Sequence, residues 1–381
     1  MNSLPLSPLR PARVEAFVFR CPIATPVRTS FGTMYDRPAV FVRVEDADGA
    51  VGWGETWCNF PSCGAEHRAR LLETVMAPLL TSRGFTGPSE AFDWLSDRTA
   101  VLAIQSGEPG PMAQAIAGID TALWDLCARR AGQPLWRYLG GSSDEIGVYA
   151  SGLNPDRPQD VVAARLAEGY RAFKLKIGFG EERDLANLSA LRELLGPDTP
   201  LMVDANQGWT LEQALGTAPR LERFNLGWLE EPLRADRPWT EWQALAKATP
   251  IPLAGGENVA GTEAFDAAIA QAPWSVLQPD LAKWGGISGC WPVIAKARAA
   301  GLRYCPHYLG GGIGLLASAH VLAAAGGEGM LEIDANPNPL RTLLAPPLSA
   351  VTEGRARLGT RPGLGISPDL KHLAQVAAAG C

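Results

Sequence analysis

Seven ionisable side chains recur at almost even steps through the second half of this sequence. Lys176, Asp204, Glu230, Glu257, Asp280, His307 and Glu332 are separated by 28, 26, 27, 23, 27 and 25 residues. Each interval has the length of one strand–helix unit, and each residue ends or closely follows a short apolar run. In a barrel of parallel strands, the C-terminal strand ends meet at one mouth. The spacing therefore predicts one ring of charged groups. A single Asp after a strand is also a good helix N-cap, but capping does not account for seven consecutive strand ends.

Asp204, Glu230 and Glu257 come from three successive runs. Converging carboxylates repel one another and resist ionisation. A hard divalent cation would relieve that, and oxygen donors without Cys or His favour Mg²⁺, with Mn²⁺ as a substitute. Glu230 and Glu231 are adjacent, so strand alternation sends them to opposite faces and only one is expected to bind metal. Lys174 and Lys176 lie two apart, on one side of a strand that Phe173, Leu175 and Ile177 mark as buried. Lysine is usually a surface residue, but two inside a barrel raise the cost of charging each other. That lowers their pKa and makes a base competent near neutral pH. His307 ends the seventh run and Asp280 the neighbouring sixth, a pairing that orients an imidazole and raises its basicity. His67, His320 and His372 sit in helix-like contexts with structural or solvated roles expected. The ring as a whole has the parts for proton transfer beside a bound divalent cation.

The elements that must hold this ring are readable as eight short runs: IGVYAS, FKLKIG, PLMVDAN, GWLEEP, PLAGGE, SVLQPD, RYCPH and MLEID, each followed by a helix-like stretch. That rhythm predicts an α/β protein with a βα barrel of TIM type over residues 141–345. Upstream, Val14–Arg20, Val40–Val44 and Val51–Glu55 look like strands, the last two joined by a hairpin at Asp48-Gly49. Helical patterns follow at about Ala65–Leu80 and Met112–Arg130, the second with Ile116, Ile119, Leu123 and Leu126 on one face and Gly132 as its stop. Strands followed by helices make residues 1–140 an α+β domain. Residues 346–381 are not barrel-like and are expected to return to that first domain. The segment Ile23–Tyr35 reads as a long connection suited to a lid, with Thr56–Phe60 beside it.

The chain has 381 residues, 46% of them hydrophobic, and a formal charge of −6. It is long enough for a large core, and no basic block marks a nucleic-acid surface. Cys21, Cys58, Cys63, Cys127, Cys290, Cys305 and Cys381 are odd in number and scattered, which argues against a disulfide framework and for a reducing cytoplasm. No signal peptide or spanning helix is expected.

KLKIG, MVDANQ, WLEEP, GGEN, QPDLAKWGG and PH, with the intervals above and the upstream GWGE, together resemble the mandelate racemase subgroup of the enolase superfamily. The resemblance covers nearly the whole chain. It implies an N-terminal capping domain over the barrel, Asp204, Glu230 and Glu257 as Mg²⁺ ligands, Lys176 as one base tuned by Lys174, and a His307–Asp280 dyad on the opposite substrate face. It also implies Glu332 as a hydrogen-bond partner of the developing enediolate, with a protonated form able to donate, and a symmetric homo-oligomer. A Gly-rich run, LGGGIG, follows His307 and departs from mandelate racemase itself. IGFGEERDL, PNPLR and PGLGI are similar to sugar-acid members, including cycloisomerases of sugar-acid lactones. The expected activity is Mg²⁺-dependent abstraction of a proton α to a carboxylate, most simply β-elimination from a sugar acid or its lactone. A racemase or epimerase of a 2-hydroxy acid is the alternative, and a catalytically silent scaffold a distant one. Asn206, Lys283, Arg28, Trp57 and Tyr308 are candidate substrate contacts, with Ser30, Tyr35 and Trp284 as further specificity candidates.

Overall fold

The computed structural model describes residues 5, 7–29 and 32–379, the side chains of Thr25 and Arg28 excepted. Strands β1 (Pro11–Arg28), β2 (Thr33–Asp46) and β3 (Val51–Thr56) form an antiparallel sheet in that order. Eight parallel strands follow: β4 (Glu145–Leu153), β5 (Phe173–Lys176), β6 (Leu201–Asp204), β7 (Leu229–Glu230), β8 (Leu253–Gly255), β9 (Trp274–Leu277), β10 (Arg303–Tyr304) and β11 (Met330–Asp334). They pair in chain order from β4 to β10, and β11 returns to β4. At the remaining seam the Met330 N–H donates to Cys305 Sγ at 3.4 Å. Each of the eight apolar runs overlaps one barrel strand, so the fold is an α/β barrel of modified TIM type with an N-terminal α+β cap.

Two-residue alternation divides every barrel strand. Phe173, Leu175, Leu201, Val203, Leu229 and Leu277 join the large core beneath the surrounding helices. Tyr149, Ala172, Met202, Trp228, Ala254, Val276 and Cys305 form a separate apolar cluster, which plugs the barrel. Two residues further along the same strands and the turns that follow stand Ser151, Lys174, Asp204, Glu230, Gly256, Gln278 and His307. The polar layer therefore rests on a dry floor.

The cap sheet is apolar on both faces. Val40, Val42 and Val44 pack with Leu72, Met76 and Leu80 and with Ile116, Ile119 and Leu123 of the helix Pro109–Arg130. Ala39 and Phe41, with the opposite parity, belong to the barrel core. Gly52 and Gly54 let β3 lie against that helix, since a Cβ at either would stand 2.0 Å from a helix carbonyl, that of Ala122 or Gly118.

Three features differ from the sequence expectations. Ile23–Arg28 continues β1, and Val27 and Arg28 pair with Met34 and Thr33, so most of the expected lid connection is a hairpin. Pro22 and Pro26 obscure it, because proline lacks a ladder donor and the register shifts between Pro22 and Val27. A helix at Pro88–Ser106 was not anticipated. Its Pro start and Gly107 stop are ordinary signals, but exposed Val101, Leu102 and Ile104 blur its periodicity. The tail first adds a strand, β12 (Arg355–Arg357), antiparallel to β4. Only then does it reach the cap, where Leu364 N–H donates to Asp125 at 2.6 Å. No helix among the described residues is long and apolar enough to cross a membrane, and no disulfide links the described cysteines.

His320 lies buried on the helix Gly312–Ala325, where its Nδ1 accepts the Trp136 N–H at 3.1 Å. Burial pushes its pKa down to about 3. It is neutral when folded, whereas an unfolded histidine gains a proton below about 6.5. The stability tied to it is complete above pH 6.5 and falls as pH drops toward 3. Between pH 6.5 and 5 the wild type should lose about 2 kcal/mol more than His320→Gln. Urea unfolding of both proteins at the two pH values measures this, and equal losses would remove His320 from the acid response.

Candidate active site

Lys174 sits at the centre of the polar layer. Its Nζ lies 2.5 Å from Glu230 Oε1 and 2.8 Å from Glu332 Oε1. Burial opposes its charge, but Glu230, Glu332, Tyr149 and Asp204 outweigh that and hold its pKa well above the ordinary lysine value. This direction is opposite to the lowering expected from two neighbouring lysines, because the carboxylates of Glu230 and Glu332 lie in direct contact with Lys174. Glu230 accepts further bonds from Trp228 Nε1 at 3.0 Å and Gln278 Nε2 at 2.6 Å. Burial still pushes its carboxyl up to about 7, with Asp204 and Glu332 adding to the effect of burial.

Lys176 has different company. Its Nζ donates to Asn206 Oδ1 at 2.9 Å, and Asn206 Nδ2 donates to Asp204 Oδ2 at 2.8 Å. On the far side of the layer, His307 Nδ1 lies 2.7 Å from Asp280 Oδ2. Asp280 is in turn fixed by the N–H groups of Ala282 and Lys283 at 2.8 and 3.2 Å. His307 Nε2 lies 2.5 Å from Glu257 Oε2, and Lys283 Nζ lies 3.2 Å from Glu257 Oε1. Burial opposes protonation of His307, but Glu257, Glu332 and the Asp280 hydrogen bond hold its pKa well above the ordinary value.

Glu332 departs from expectation. It accepts from Ser151 Oγ and from the Tyr308 N–H at 3.1 Å, besides its pairing with Lys174. Burial raises its pKa, but Lys174 and His307 outweigh burial and hold it below the ordinary value. Its oxygens act as acceptors, and this direction favours the ionised form over the protonated donor expected. Glu231, at φ 37°, leaves the strand conformation, and its two oxygens take Asn258 Nδ2 at 3.1 and 2.9 Å.

One narrow cleft is lined by Lys176, Asp204, Asn206, Glu257, Lys283, His307 and Glu332 from the barrel and by Thr29, Trp57, Asn59 and Phe60 from the cap. Lys283 Nζ stands 5.1 Å from the centre of the Trp57 ring, a cation–π contact. Among the expected substrate contacts, Asn206, Lys283 and Trp57 line the cleft. Tyr308 does not: its side chain is buried and its hydroxyl hydrogen-bonds Glu55. Tyr35 is 70% exposed, and Trp284 packs between Phe92 and Phe265. The Arg28 side chain and Ser30 lie outside the described residues. Ser151, Trp228 and Gln278 were missed; each stands two residues from a floor or ring position, so strand parity alone could have found them. A larger cavity of about 530 Å³ opens elsewhere, between Ile23–Val27, Asn154–Arg157 and Ala335–Pro337.

Asp204 and Glu230 are direct neighbours across β6 and β7, and Glu257 follows β8. As placed, the described residues contain no ready-made three-ligand group, because His307 and Lys283 hold Glu257 and Lys174 holds Glu230. The donor set nevertheless fits a hard divalent cation: all three donors are carboxylates, and burial raises the pKa of both Asp204 and Glu230.

Residues 13–140 match the mandelate racemase / muconate lactonizing enzyme N-terminal domain, and residues 159–372 the enolase C-terminal domain-like family. The chain belongs to the mandelate racemase subgroup of the enolase superfamily. A mandelate racemase/muconate lactonizing enzyme from Bordetella bronchiseptica RB50 superposes with a TM-score of 0.93 at 64% identity, over 97% of this chain and 100% of that one. A racemase from Streptomyces coelicolor A3(2), solved with bound magnesium, superposes at 0.84 with 30% identity, over 96% and 99%. D-galactarolactone cycloisomerase of Agrobacterium fabrum is 35% identical over 350 residues, 87% of this chain and 89% of that protein. Other relatives are named as dehydratases, cycloisomerases and racemases. This chain is an enzyme of the superfamily's lyase or isomerase kind.

The two lysines should separate in a stability measurement. Removing one partner from a buried ion pair leaves charge uncompensated and costs about 3–5 kcal/mol. Lys174→Met, which strands Glu230 and Glu332, should show that loss in denaturant unfolding of the chelated protein. Lys176→Met should lose less than half as much. Equal losses would contradict the assignment of Lys174 to structural charge balance.

Proposed function

We propose that this enzyme abstracts the proton α to the carboxylate of a sugar acid or sugar-acid lactone and then expels an oxygen from the β carbon. The observation that carries the reading is the placement of Lys176 and the Asp280-held His307 in one cleft, with carboxylates between them. A Mg²⁺ ion held by Asp204, Glu230 and Glu257 would spread the charge of a substrate carboxylate and so acidify its α-proton.

The residues divide the remaining work. Asp280 occupies His307 Nδ1, so Nε2, paired with Glu257 in this structure, is the ring atom that would transfer a proton once Glu257 turns to a bound cation. Lys176 Nζ, positioned by Asn206, serves the other substrate face. One of the two breaks the Cα–H bond and keeps the proton. The electron pair forms the enediolate, then expels the β-oxygen as the Cβ–O bond breaks, and the second group protonates that oxygen. From an open-chain acid the product is water and a 2-keto acid. From a lactone whose ring oxygen is on Cβ, the ring opens and that oxygen leaves as a carboxylate that stays on the same molecule. Glu332 accepts hydrogen bonds from Ser151 and Tyr308, and Lys283, which lines the same cleft, is a cation that could meet the developing negative charge. Phe60 and Trp57 line the cleft from the cap, and water excluded by a bound substrate there would strengthen each of these interactions.

Protonating the α-carbon from the opposite face would instead give epimerisation, with the same two groups. A screen of aldonates, aldarates and their lactones in D₂O separates the outcomes: deuterium in recovered substrate with inverted configuration marks epimerisation, and a 2-keto acid marks elimination. Observing neither exchange nor a 2-keto acid with any of these compounds would sink the sugar-acid reading. On the active compound, Lys176→Ala and His307→Asn should each lower turnover by at least about 10²-fold, the low end for acid–base catalysis. One of the two variants can still exchange the α-proton through its remaining face. Glu257→Gln, which removes one anionic ligand, should weaken Mg²⁺ binding measured by titration calorimetry and abolish turnover. Full activity after exhaustive chelation, with no metal by elemental analysis, would end the metal assignment.

A further inference from the structure

The Gly-rich run after His307 is explained by a carboxylate from the other domain. Glu55 lies on β3 of the cap, paired across the sheet with Phe41. It therefore shares the sheet face that enters the barrel core. Its side chain is buried. Oε1 accepts the Gly311 N–H at 2.5 Å, and Oε2 accepts the Gly314 N–H at 2.8 Å. The Tyr308 hydroxyl also hydrogen-bonds it.

Gly311 is the N-cap of the helix Gly312–Ala325, and Gly314 lies in its first turn. The first N–H groups of a helix have no partners within it and carry partial positive charge. The helix's own N-cap, a glycine, has no side chain to satisfy them. Glu55 supplies that function from another domain. The glycines make the room: a Cβ on Gly311 would stand 2.7 Å from Glu55 Oε1, and one on Gly314 would stand 2.3 Å from the Tyr308 oxygen. Burial pushes the Glu55 carboxyl up to about 7, against the pull of its three donors. A leucine there would avoid that cost, so the carboxylate is a burden on stability that needs a reason.

The reason lies one residue before Tyr308. The segment 307–311 is gripped at both ends of the active site. Tyr308 N–H donates to Glu332, and the Leu309 carbonyl accepts Asn59 Nδ2 at 2.6 Å. His307 has the Asp280 carboxylate behind it, but its backbone is set by this segment. We propose that Glu55 is a positioning residue for His307: by capping the helix that follows and holding Tyr308, it makes the placement of the imidazole depend on docking of the cap. This rests on the proton-transfer role given to His307 above.

A merely structural Glu55 would affect stability alone, so the test reads His307 directly. Histidine-labelled, Mg²⁺-loaded enzyme is compared by NMR as wild type, Glu55→Gln and Tyr308→Phe, with His307→Asn assigning the ring signals. Gln is isosteric but presents an N–H₂ to at least one of the glycine N–H donors. In Glu55→Gln the His307 ring signals should shift and its Nδ1 proton should exchange faster with solvent, while His320 is unmoved. Turnover on the compound found in the screen should fall about 10-fold or more with KM little changed, as small misplacements of catalytic groups do. Tyr308→Phe removes one donor and keeps the cap, so it should show the same changes more weakly, and it carries the test if Glu55→Gln does not fold. Unchanged His307 signals in the folded variants overturn the inference. The NMR measurement needs no substrate, so an unproductive substrate screen and a failed positioning role give different results. If His307→Asn turns over normally, the proton-transfer reading fails and the inference falls with it.

Discussion

Closing a sheet into a barrel brings alternate residues of every strand into a common cross-section, and here that cross-section is charged. Lys174, Asp204, Glu230, His307 and Glu332 share one layer above an apolar floor of Tyr149, Met202, Trp228, Val276 and Cys305. None could be buried there alone, because an isolated ion loses several kcal/mol of hydration. Each is tolerated because the others surround it. A pair at 2.5 Å such as Lys174 and Glu230 gains several kcal/mol even at an effective dielectric near 20, an amount comparable to the loss of hydration. An arrangement that roughly breaks even contributes little to stability. Its retention in the middle of a barrel is better explained by chemistry than by folding.

The same layering accounts for how much could be read from the residues alone. Strand parity and unit length are periodic, so eight runs, their inward faces and the seven-membered ring were all recoverable. What periodicity cannot carry is the pairing of charges across the layer. Lys174 and Lys176 look alike in sequence, two residues apart on one face. The structure gives Lys174 two carboxylates and Lys176 an amide, and that difference depends on residues 30 to 158 positions away. The protonation of Glu332 is hidden for the same reason: its state is set by Lys174 and His307 on other strands. Ile23–Arg28 was obscured locally, by prolines in a strand whose register shifts, and Pro88–Ser106 by apolar residues left on its exposed side.

The cap is joined to this layer by a sheet with two apolar faces. Val40, Val42 and Val44 commit one face of β2 to the cap helices, and Ala39 and Phe41 commit the other to the barrel. Of the charged residues of that second parity, Arg43 pairs with Glu15 and Glu45 within the cap sheet, whereas Arg37 and Glu55 are buried and find their partners in the barrel. Arg37 does so by pairing with Asp334 at the end of β11, and Glu55 does so at the helix after β10. Both land on segments adjoining ring residues, Glu332 and His307. Docking of the cap and geometry of the ring are thus not independent, although they come from distant parts of the chain.

This coupling bears on how one ring serves different reactions. Relatives at 30–35% identity include proteins named as a cycloisomerase, a dehydratase and a racemase. Two opposed proton-transfer groups and a site for a divalent cation are sufficient for the first step of all three, so the ring cannot distinguish among them. The distinction must arise after the proton is lost, from what the second group can reach: the α-carbon for inversion, or an oxygen on the β-carbon for elimination. That is decided by how the substrate is turned in the cleft. The barrel face of the cleft is largely charged and committed to the ring, while Thr29, Trp57, Asn59 and Phe60 come from the cap. A change in those cap residues could rotate the substrate without disturbing any charge in the layer below, whereas a change within the layer would unbalance the rest. The physical route of least cost to a new outcome therefore runs through the cap.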